Sequence, residues 1–196
     1  MLARLHHETR ACHAIADADR LDTLGASSSR SEYLAVLSRI YGFERSVETA
    51  MWMTIRLDEV IDVRDRAHLR LLRADLRALG VVDASKLPRA TTVITFRDAA
   101  SALGWVYAVE RNTLLHAHID ARLRARMPTI LEKASAYLVG NARSCRNRLR
   151  ELGVAMDRLS NDPSAAERIV AAAHAAFRAQ HRWYDLAARP KLRLVG

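Results

Sequence analysis

Glycine and proline are scarce in this chain, at 7 and 4 of its 196 residues, so it holds few of the residues that break or bend helices. Lysine is nearly missing, present only as Lys86, Lys133 and Lys191, although the formal net charge is +9. The two cysteines, Cys12 and Cys145, are too few for a disulfide framework, and a reducing cytoplasm is the expected setting. No run approaches the roughly 20 apolar residues that span a bilayer. His6, His7, Glu8, Arg10 and His13 interrupt the early stretch that a signal peptide would need apolar. A soluble chain without a membrane partner is expected. No G-x-S-x-G, P-loop, C-x-x-C or H-E-x-x-H pattern occurs, so those enzyme classes lack support. Glu167 has no histidine three residues on, which removes the paired motif of a di-iron bundle.

What remains is rich in alanine, leucine and arginine, which lose little freedom in a helix. A hydrophobic content of 50% over 196 residues predicts one globular domain, residues 1–196, with a sizeable core. The arginines gather at Arg122, Arg124 and Arg126, and again at Arg143, Arg146, Arg148 and Arg150. Such charge suits nucleic acid or an anionic ligand. No helix-turn-helix, zinc finger or aromatic-bearing strand motif accompanies it, so nucleic acid is not the expected partner.

Periodicity predicts helices over about 1–19, 29–56, 63–79, 95–126, 129–152 and 163–188. Ser29-x-x-Glu32 and Thr95-x-x-Asp98 have the form of capping boxes. Gly80 and Gly153 are expected to end helices, and Pro163 to start one. The stretch 81–94 reads as a connection, since one β-branched run has no strand to pair with. Gly104 offers a bend in the long fourth helix. Six helices without a sheet give an all-α bundle.

His13 and Asp17 stand one turn apart on the first helix. A carboxylate there can hold one ring nitrogen and leave the other for a metal. The plainer reading is a surface histidine beside a surface aspartate.

Several ordered segments then resemble one family. Leu5 to Asp17, with Thr9-Arg10-Ala11-Cys12-His13, is similar to the first helix of the heme oxygenases, in particular the bacterial phytochrome-associated type. Tyr33-Leu34 through Tyr41-Gly42-Phe43 to Glu48 resembles the second helix, and Leu72 to Gly80 the end of the next. Ala102-Leu103-Gly104-Trp105-Val106-Tyr107-Ala108-Val109-Glu110 resembles the start of the distal helix. The resemblance implies a single-domain heme oxygenase-like bundle. Heme would be both cofactor and substrate, opened to biliverdin, carbon monoxide and ferrous iron with electrons from a reductase or ferredoxin. It makes His13 the proximal iron ligand and Asp17 the acceptor that fixes its tautomer. Arg10 and, less directly, His6 fall at basic positions near a heme propionate, and the arginines at 143–150 could supply further contacts.

The departure lies in the distal helix. Where the family carries a glycine-rich run, this chain has Arg111-Asn112-Thr113-Leu114-Leu115-His116. Glycine there lets the helix backbone approach the porphyrin. The catalytic face would instead hold Arg111, Asn112 and Leu115, and Arg111 and Leu115, at i and i+4, would both project into the heme slot. His116 could ligate iron itself, or with His118 be an ordinary polar-face residue. The same shape without the reaction, as a heme sensor or carrier or a heme-free interaction module, is the alternative. Trp105, Tyr107, Trp183 and Tyr184 are expected as core packing, and Cys12 as a buried inert thiol.

Overall fold

The structure, a computed structural model, describes residues 1–93 and 95–188. It is an all-α bundle with no strand among the described residues. Nine α-helices follow in order among the described residues: α1 Leu2–Glu8, α2 Arg10–Thr23, α3 Arg30–Trp52, α4 Leu69–Ala78, α5 Ala99–Asn112, α6 His116–Arg126, α7 Pro128–Lys133, α8 Ala136–Leu159 and α9 Pro163–Ala188. No helix among the described residues is long and apolar enough to cross a membrane.

Four of the six expected helices are subdivided or shortened. The first kinks at Thr9 (φ −100°, ψ 14°) and then runs on to Thr23. Thr9 Oγ1 donates to Leu5 O at 2.6 Å, a back-bond that bends helices. The long fourth helix divides at a 3-10 turn, Thr113–Leu115, where Thr113 Oγ1 donates to Glu110 O at 2.6 Å. The third begins only at Leu69, after a run of turns through 53–67. The fifth is split into α7 and α8, and α8 continues through Gly153 to Leu159, with the Leu2 side chain seated on that glycine.

The expected caps hold at α3 and α4, while that of α5 moves from Thr95 to Asp98. Ser29 Oγ accepts from Glu32 N at 3.2 Å, while the Glu32 carboxylate reaches back to Ser28 rather than to Ser29. At α5 the capping residue is Asp98 itself, accepting from Ser101 N at 2.8 Å, not Thr95. Helix α4 ends in a Schellman motif, with Gly80 at φ 87°, Val81 N donating to Leu76 O and Gly80 N to Arg77 O, both at 2.9 Å.

Two apolar clusters make the core. One joins α5 and α9 with Phe43 and Val47 of α3; the other joins α3, α4, α6 and α8 around Tyr33, Leu72, Leu123 and Tyr137. Gly104 is not a bend but a contact point: a Cβ there would lie 2.4 Å from Ile169 O and 2.7 Å from Ala173 N. The missing side chain lets the α5 and α9 backbones touch.

Gly104→Ala should therefore lower stability by about 1–2 kcal/mol, because rigid backbone must move to make room. Gly140→Ala, whose methyl would meet only the Leu71 side-chain end, should be tolerated. Urea unfolding compares the two, and an undiminished Gly104→Ala would contradict the close approach.

Candidate functional site

The kink at Thr9 turns the next helical face inward, and His13 comes with it. Its side chain is buried, with 4% exposure, in the angle between α2, α5 and α9. Nε2 lies 2.8 Å from Thr9 Oγ1 and 3.1 Å from the Tyr107 hydroxyl. The Phe177 ring meets the imidazole edge-on at 5.4 Å, and the exposed His6 ring lies 5.2 Å away. Thr9 spends its only proton on Leu5 O, so it accepts from His13, which puts the ring proton on Nε2. Nδ1 is then a bare, buried lone pair with no hydrogen-bond partner. Burial first, and then the positive charge of Arg111 and His6, lowers the His13 pKa from 6.5 to about 4, against a smaller opposing pull from Asp17. The ring is neutral at pH 7.

Asp17 does not hold this histidine. Its carboxylate takes both arms of Arg111, whose Nη2 is 2.7 Å from Oδ2 and whose Nη1 meets Oδ1. The pair is mostly buried, with side-chain exposures of 14% and 28%. A two-armed guanidinium–carboxylate contact is among the stronger polar contacts available to a protein, and here it ties α5 to α2. Arg111 is drawn to that carboxylate rather than projecting into an open slot.

The other expected site residues disperse. The 3-10 turn at Thr113–Leu115 breaks the i, i+4 spacing, and Leu115 packs on the second apolar cluster. Asn112 is buried and donates to Gln180 Oε1 at 2.8 Å. His116 is neither distal nor on a polar face: it is fully buried against Tyr137, ring centroids 4.7 Å apart. Arg10 is exposed, as are Arg143, Arg146 and Arg150, whereas Arg148 is buried on Glu110. Cys12 is half-buried rather than enclosed, 3.7 Å from His174 Nδ1. Tyr107, Trp105, Trp183 and Tyr184 do pack on the core clusters, and Trp183 also donates from Nε1 to Arg39 O at 2.9 Å.

A second polar assembly, unforeseen in the sequence, occupies the bundle interior. Glu110 accepts from Arg148 Nε at 2.9 Å and Arg66 Nη1 at 3.3 Å. Glu44 accepts from the Tyr137 hydroxyl and has Arg20 Nη2 at 3.7 Å. His68 lies between the two carboxylates, 3.8 Å from Glu44 and 3.7 Å from Glu110. Burial pushes the Glu110 pKa up, but His68, Arg148 and Arg66 outweigh it, so the group is an anion. Burial, then Arg20, His68 and Arg148, drives His116 well below the usual histidine range, so it is neutral. A signal for this assembly existed: Glu44 falls on the apolar stripe of Leu37, Ile40, Val47 and Met51, where a charge needs an internal partner. Among the described residues, no three His, Cys, Asp or Glu side chains converge as a metal ion requires.

The His13 junction can be tested against heme on these contacts. A neutral imidazole with a bare nitrogen suits iron chemically. The space does not suit it: Thr9, Tyr107 and Phe177 close on the ring, and the Arg111–Asp17 pair bridges the helices between which a porphyrin would lie. The residues as placed do not fit heme.

The depressed His13 pKa makes a prediction. A base held neutral in the fold is protonated first in the unfolded chain, so its contribution is lost as pH falls from about 6.5 to 4. Its size is on the order of 2–3 kcal/mol. Asp75, raised by burial from 3.8 to about 6, works in the opposite sense, since protonation relieves a buried charge as pH falls. The difference between wild type and His13→Gln isolates the histidine. Urea midpoints should fall faster with acid in wild type than in the variant, and parallel curves would contradict the assignment.

No protein-family profile, curated protein or solved structure matches this chain.

Proposed function

We propose that this chain is a non-catalytic helical-bundle binding module, in which the positions that the resemblance gives to heme serve as a packed junction. The observation that carries the reading is the two-armed Arg111–Asp17 pair, which occupies the carboxylate beside His13 and ties α5 to α2. Heme oxidation would require that pair to part and the Tyr107 hydroxyl to leave His13. A ligand that binds only an opened form loses about tenfold in affinity for each 1.4 kcal/mol of opening. Arg111, where the resemblance places a small residue, is the side chain that supplies this pair. The module is expected to work by holding a partner or small ligand on its surface, not by turning over a buried cofactor.

Hemin titration followed by absorption tests this. Wild type and His13→Ala should give the same weak, non-saturating change. A Soret band that saturates at one equivalent in wild type and disappears in His13→Ala would overturn the proposal, and its decay to biliverdin with a reductant would restore the oxygenase reading.

A further inference from the structure

A cavity of about 500 Å³ opens where the end of α2, the start of α3 and α9 meet. Its volume lies within the range of small-molecule sites, roughly 300–1,000 Å³. The floor is apolar, made by Ala26, Ala35, Val36 and the Tyr184 ring. Arg39 stands at one end. Its guanidinium is 5.2 Å from the centre of the Trp183 ring, and that indole is itself fixed by its bond to Arg39 O. Stacking of this kind holds a guanidinium in place without neutralising it. Arg39 has no carboxylate within ion-pair distance among the described residues, and its buried Nε has no hydrogen-bond partner. Beyond the Tyr184 ring lies Arg20, 2% exposed and paired with Glu44 at 3.7 Å, so the cation left without a carboxylate at this end is Arg39.

The opposite end is acidic. Glu32 and Asp22 line it, and Glu32 is already engaged by the Ser28 amide and hydroxyl. Glu32 and Arg39 are seven residues apart on α3, about 10 Å along the axis, with Ala35 and Val36 between them.

We infer that this cavity binds a small aliphatic or aromatic carboxylate, its carboxylate on the Arg39 guanidinium and its apolar body along Ala35, Val36 and Tyr184. A donor or ammonium group at the far end would meet Asp22. The cavity is lined by none of the His13 junction residues, so the inference stands whether or not heme binds.

Three linear probes test it: octanoate, 8-aminooctanoate and octylamine, titrated into the isotope-labelled full chain and followed by amide chemical shifts. Octanoate and 8-aminooctanoate should saturate shifts at Thr23, Ala26 and Val36, with octylamine at least tenfold weaker. Arg39→Gln should weaken octanoate at least tenfold, and Ala35→Trp, at an exposed position, should block it by filling the floor. Thermal melts confirm that both variants stay folded. Octylamine binding as tightly as octanoate, shifts confined to other surfaces, unaffected binding in Arg39→Gln, or no saturation by any probe would each overturn the inference.

Discussion

The contact between Arg111 and Asp17 decides which surfaces of this bundle are interior. It joins the last turn of α5 to α2, and two turns earlier α5 is already fixed by the backbone approach of Gly104 to α9. With both constraints in place, the face of α2 that carries His13 has nowhere to turn but toward Tyr107 and Phe177. The neutral, low-pKa state of the histidine follows from that placement, as does the absence of room beside it for a flat macrocycle. One pair of side chains thus connects local helix geometry to the functional conclusion.

The second constraint is the cost of the polar interior. Taking three arginines and two glutamates out of water is expensive, and such assemblies seldom add stability compared with apolar packing. They do exclude alternatives, since any other helix register would leave a buried charge without its partner. In this chain Glu110 holds α5 to α8 through Arg148 and to the turn before α4 through Arg66, while Glu44 connects α3 to α8 through Tyr137. That role matches the position of the assembly, on the side of α5 away from the Arg111 contact. It also leaves Arg20 with unfilled donors behind Tyr184, next to the cavity at the α2–α3 corner.

Much of the architecture could be read from the chain. The caps at Ser29 and Gly80, the connection over 81–93 and the last helix follow from local chemistry that acts over four or five residues. The site was legible only in its parts. His13, Asp17 and Arg111 stand out by residue type, but the preference of Asp17 for Arg111 over His13 depends on a contact between positions 94 apart in the chain. The kink at Thr9 and the 3-10 turn at Thr113 rest on threonine back-bonds that helical periodicity does not register. Those two small departures redirect His13 and separate Leu115 from Arg111. His116 leaves the face of α5 for the same reason, because the helix is not continuous through the 3-10 turn.

A double-mutant cycle on Asp17→Asn and Arg111→Gln, read by urea unfolding, tests the account at its centre. The two side chains should be coupled by about 1–2 kcal/mol, with the paired variant losing less stability than the sum of the single ones. Strictly additive losses would mean that the contact does not hold α5 to α2, and the closed junction at His13 would lose its foundation.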